Sequence, residues 1–87
     1  MVVEDHIFVY TKASCLFCSS IIRWLNKENI TFVEKNINDE EVYKEFSKFN
    51  VEGVPLLTII KEGSLKKKIL GFNQKELEKY FKKIEGV

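Results

Sequence analysis

Hydrophobic spacing changes twice between residues 6 and 37, and this double change restricts the possible folds more than any other feature. Residues 6–10, HIFVY, are a short run of β-branched and aromatic side chains, the pattern of a buried strand. From Cys15 the spacing becomes helical. Cys18, Ile21, Ile22 and Leu25 fall on one face, and the helix is predicted to end near Asn29. Residues 30–37, ITFVEKNI, return to alternation and read as a second strand. A strand–helix–strand unit of this kind joins two parallel strands by a right-handed crossover.

The remaining chain adds to that unit. Asn38 is predicted to cap a second helix, with Glu41 three positions on. Asp39, Glu40 and Glu41 suit its first turn through the helix dipole, and Val42, Phe46 and Phe49 form its apolar face. Residues 54–60, VPLLTII, read as a third strand, with Pro55 at its start where a missing N–H is tolerated. KEGS at 61–64 is a tight turn, so LKKKIL at 65–70 is a fourth strand antiparallel to the third. Gly71 ends it. NQKE at 73–76 is a further cap signal, with Glu76 at the third helical position and Leu77, Phe81 and Ile84 on one face. The expected fold class is α/β: a four-stranded mixed sheet with about three flanking helices, one domain over residues 1–87.

Composition permits this and excludes other classes. The chain has 87 residues, 45% hydrophobic with 7 Phe, enough for one core. Its 14 basic and 13 acidic residues argue against a general nucleic-acid or membrane surface. No apolar run is long enough to span a bilayer. The start, MVVEDHIFVY, lacks the basic segment of a secretory signal, so a cytoplasmic protein is expected. Charge is uneven: residues 61–87 carry eight basic and four acidic side chains, so an acidic partner would meet that side. The lysines of LKKKI are read as protection of an edge strand rather than a binding patch. Trp24 is read as packing beside Ile21.

The chemistry concentrates at Cys15 and Cys18, the chain's two cysteines. Cys15 stands where a loop turns into a helix, and the free N–H groups of a helix start favour a thiolate. Lys12, three residues upstream, adds to this. Cys18 lies one turn on, so the two sulfurs can meet. It is expected to be the more buried thiol, suited to resolving a mixed disulfide that Cys15 forms. A reducing compartment disfavours a permanent disulfide, and paired cysteines there are catalytic or metal-binding. A zinc site within the chain lacks ligands: there is no second pair, and His6 is expected to face solvent. A metal shared between two chains stays open. Simple core filling fits Cys18 better than Cys15. The strand–helix–strand context favours the redox couple.

VYTKASCLFC resembles the glutaredoxin active-site segment, within the thioredoxin fold. The resemblance continues in EGVPLL, at the place of that family's cis-proline loop, and in LGFNQKEL, at its final glycine turn and helix. It implies catalytic roles for Cys15 as the attacking thiolate and Cys18 as the resolving thiol. It also implies a cis Val54–Pro55 bond beside the cysteines, with the Val54 backbone offered to a bound peptide or to glutathione. Lys12 and Phe17 match positions lining the glutathione or substrate groove. Gly71, Phe72 and Asn73 match the turn that holds the γ-glutamyl end of glutathione. Leu16 and Phe17 replace the family's usual Pro and Tyr, and Gly53 stands where Thr is common. Gly71-Phe72-Asn73 is similar to the small glutaredoxin-like proteins that thioredoxin reductase reduces and that donate electrons to ribonucleotide reductase.

The expected function is therefore a monomeric thiol–disulfide oxidoreductase acting on protein disulfides or glutathione mixed disulfides. No cofactor is expected to be tightly bound, and no metal ligand is assigned. Glutathione is a possible co-substrate, and glutathione or thioredoxin reductase is the electron source. Three alternatives stand beside it: a metal or iron–sulfur cluster carrier of the same fold, a thioredoxin-reductase-dependent electron donor to ribonucleotide reductase, and an interaction module whose cysteines are idle.

Overall fold

The computed structural model describes residues 5–85, with side chains of residues 6–81. The elements run β1 (Asp5–Thr11), α1 (Leu16–Lys27), β2 (Val33–Asn36), α2 (Glu40–Ser47), β3 (Leu56–Lys61), β4 (Ser64–Leu70) and α3 (Gln74–Glu85). The sheet order is β2-β1-β3-β4. β1 and β2 are parallel, and β1 pairs antiparallel with β3, which pairs antiparallel with β4. The α/β fold class and the mixed sheet are those expected.

Helices cover both faces of the sheet because β1 and β3 are apolar on both. Val9, Leu57, Ile59 and Ile69 pack with Ile21, Trp24 and Leu25 of α1 and Leu77 of α3. Tyr10 and Leu56 point the other way and pack with Phe46 of α2. Leu56 to Ile59 are all buried, as a strand sandwiched between two helical layers must be. Trp24 is buried in the same cluster as Ile21, and the Ile84 side chain lies outside those described.

Several boundaries differ from the sequence reading, most visibly the starts of β2, α2 and β3. β2 begins at Val33, not residue 30, because Ile30 finishes α1. Its N–H donates to the Leu25 carbonyl at 3.0 Å while Asn29, at φ 59°, donates to Asn26 at 3.1 Å. This is a Schellman closure with Asn in the left-handed position. The cap of α2 is Asp39, not Asn38. Asp39 Oδ1 accepts from the N–H of Glu41 at 2.9 Å and of Val42 at 3.4 Å. Asn38 instead donates its N–H to the Asn36 side chain, in a turn preceding the helix. Pro55 precedes β3, which starts at Leu56.

The Glu62-Gly63 hairpin has both residues at positive φ, 54° and 81°, the two-residue turn whose twist matches the strands it joins. Asn73 caps α3 as expected, its Oδ1 accepting from the Glu76 N–H at 3.1 Å. His6 is exposed, on the part of β1 that precedes its pairing with β2.

Candidate active site

The strand register gathers the candidate residues at one end of the sheet. Tyr10, near the end of β1, pairs with Leu56, which pairs with Leu70. The loop carrying Cys15, the Val54–Pro55 bond and the turn after Leu70 therefore share that end. Gly71, at φ 80°, donates its N–H to the Pro55 carbonyl at 2.8 Å, tying two of these segments together. The Val54–Pro55 bond is cis.

Cys15 is the N-cap of α1 and Cys18 lies in its first turn. Ser14, at φ 58°, reverses the chain so that Cys15 enters the helix in extended conformation, φ −108° and ψ 112°. The two cysteines form a disulfide, with their Cα atoms 5.2 Å apart. The Cys18 N–H donates to Cys15 Sγ at 3.2 Å, and the Cys15 carbonyl accepts the N–H of Ser19 at 3.2 Å. The first turn contains no acidic side chain that would oppose a negative sulfur. Cys15 is half-buried and Cys18 is only 4% exposed. The expected inequality of the two thiols is present.

Two surfaces meet at Cys15. Leu16 and Phe17 are 77% and 60% exposed, an apolar shelf on the outside of the helix start. An open groove of about 720 Å³ runs along α1 past Cys15 and Cys18; Lys12, Arg23 and Glu34 are its charged lining side chains. Lys12 thus shares a wall with the disulfide, whereas Phe17 lines the shelf. The structure places Val54 half-buried against the Tyr10 cluster and Pro55 fully buried. Phe72 packs its ring on the α1 side of the core, and the Asn73 side-chain oxygen is occupied as a cap. Arg23 and Glu34 of the groove lie in no motif, and Thr11, within VYTKASCLFC, is given no role by the resemblance. Only the pairing of Val9 with Glu34 brings β2 beside the cysteines.

On the opposite face a charged network fastens α2 to the sheet. The buried Tyr10 hydroxyl donates to Glu45 Oε2, which also accepts from Lys35 Nζ at 2.8 Å. Lys35 sits 4.6 Å from the centre of the Phe8 ring. Burial, then the Glu45 carboxylate, push the Tyr10 phenol well above its usual range. Bonds from Lys35 and then Tyr10 hold Glu45 below the usual glutamate value. Among the described residues no group of three or more His, Cys, Asp or Glu could hold a metal ion, and no helix is long and apolar enough to cross a membrane.

Comparison with known proteins identifies the chain's family. The glutaredoxin family model matches residues 7–63, a span containing Lys12, Cys15, Phe17, Cys18, Val54 and Pro55 but ending before Gly71. No curated protein matches the chain. Solved thioredoxins share the fold. Thioredoxin f from spinach chloroplast superimposes with a TM-score of 0.78 at 15% identity, over 95% of this chain and 78% of that one. The Schistosoma mansoni thioredoxin gives 0.75 at 19%, over 92% and 78%. Thioredoxin O2 from Arabidopsis thaliana, in its oxidised state, gives 0.72 at 26%, over 92% and 74%. With its cysteine pair at the start of α1 and this match to the family model, the chain belongs to the glutaredoxin family of thioredoxin-fold redox proteins.

Proposed function

We propose that the chain is a thiol–disulfide oxidoreductase that reduces protein disulfides or glutathione mixed disulfides through Cys15 and Cys18. The carrying observation is the Cys15–Cys18 disulfide at a helix start, with Cys15 half-buried and Cys18 buried. In the reduced protein the α1 N-terminus and the Cys18 N–H favour the thiolate of Cys15. That thiolate attacks one sulfur of the substrate disulfide and expels the other as a thiolate. Cys18 then attacks Cys15 Sγ, the mixed disulfide breaks, and the substrate leaves reduced. The Leu16–Phe17 shelf suits a polypeptide with apolar side chains beside its disulfide. Lys12, and the Val54, Pro55, Gly71, Phe72 and Asn73 segments at the same sheet end, are the proposed contacts for a peptide or glutathione.

Cys15→Ser is expected to abolish reduction of both a protein disulfide and a glutathione mixed disulfide; undiminished turnover overturns the proposal. The electron source is read by comparing turnover with glutathione plus its reductase against turnover with thioredoxin reductase. The preferred donor supports many cycles, and the other supports only the single turnover stored in the protein.

A further inference from the structure

Resolution by Cys18 needs a thiolate, and Cys18 is poorly placed to become one. It is 4% exposed, and a thiol in apolar surroundings holds its proton. The core offers no acceptor. Thr11 and Thr58 are buried but do not titrate, and the buried Tyr10 hydroxyl is engaged with Glu45 on the opposite face of the sheet. The sheet beneath α1 presents Val9, Leu57 and Ile59. The proton must therefore leave through the groove that Cys18 lines.

Of the charged side chains lining that groove, Lys12 and Arg23 are cations, and Glu34 is the one carboxylate. Glu34 comes from the edge strand β2, and it is held: the Thr11 hydroxyl donates to its Oε2 at 2.8 Å. Thr11 ends β1 four residues before Cys15 and lines the same groove. The bond ties the carboxylate to the wall that Thr11 shares with both cysteines. Lys35, its neighbour on β2, is engaged with Glu45 on the other face of the sheet.

We propose that Glu34 is the proton acceptor for Cys18, acting through water in the groove. The inference rests on the dithiol reaction above. With Cys15 held in a mixed disulfide, the Cys18 thiol gives its proton to the Glu34 carboxylate. The resulting thiolate attacks Cys15 Sγ, the bond from Cys15 to the substrate sulfur breaks, and that sulfur leaves with the electron pair. The proton on Glu34 passes to the leaving thiolate or to solvent. In the reverse direction a thiolate reductant attacks Cys15, and Cys18, leaving as a thiolate, takes the proton back.

One equivalent of dithiobis(nitrobenzoate), mixed with the reduced full chain in a stopped-flow instrument, tests this. Attack by Cys15 releases one coloured thiolate, and resolution by Cys18 releases the second, so each step has its own phase. Glu34→Gln is expected to slow the second phase about 10- to 100-fold in mildly acidic solution, within the range a positioned base supplies. The deficit should close as pH rises toward the ionisation of Cys18 itself, and Glu34→Asp should recover part of the rate. Thr11→Val should give a smaller slowing with the same pH dependence. A second phase equal to wild type, or slowed equally at every pH, overturns the role of Glu34. A wild-type protein with no second phase overturns the dithiol reaction itself, and the inference with it.

Discussion

Gly71 shows how a single backbone dihedral supports the site. Its φ of 80° lies where side-chain-bearing residues are strained, and its N–H closes onto the Pro55 carbonyl. A Cβ at this position would meet nothing within 4 Å, so crowding plays no part. Gly71→Ala is therefore expected to cost about 1 kcal/mol through the backbone alone. Urea unfolding should show a lower midpoint with an unchanged slope, and Gly71→Asn should cost less. The unequal burial of Cys15 and Cys18 was legible at this scale because it follows from their positions at a helix start. The roles of Thr11 and Glu34 were not, because a hydrogen bond between side chains on two strands requires their register.

Between elements, an electrostatic tie joins α2 to β1 and β2 through Glu45. The carboxylate's folded-state pKa is depressed, chiefly by Lys35 and then by Tyr10. Its contribution is thus complete above the ordinary glutamate value of about 4.3 and is lost as pH falls through the folded value. The Glu45 side chain is 41% exposed, so screening reduces the contribution to about 0.5 kcal/mol. Glu45→Gln should be less stable than wild type by about that amount near neutrality, and the difference should shrink as pH falls below the ordinary glutamate value, as read by thermal unfolding across pH. The order and direction of the elements were legible from periodicity, caps and turn residues. Their ends were less so. Ile30 fits strand alternation as well as a helix stop, and Asn38 and Asp39 are both good caps. The choice was made by Leu25, whose carbonyl receives Ile30, and by Asn36, whose side chain receives Asn38.

The whole molecule has a working end and a plain one. Asp5 pairs with Lys61, so the Glu62-Gly63 hairpin lies at the far end of the sheet from Cys15. A short Gly/Ser insertion between Glu62 and Gly63 is expected to leave turnover within about twofold, since lengthening a loop adds little closure entropy. The same insertion between Val54 and Pro55 should abolish turnover while the far-ultraviolet spectrum persists. Equal losses from the two insertions would show that the ends are not separable. At the working end, Cys15 is half-buried and Cys18 is only 4% exposed, so a partner's sulfur has a single port. Under the proposed function, the donor of electrons and their recipient must both dock on the same sulfur. They cannot be held together, so each excludes the other and a ternary complex never forms. The molecule then works as a shuttle that alternates between two callers, its speed set by whichever is scarcer.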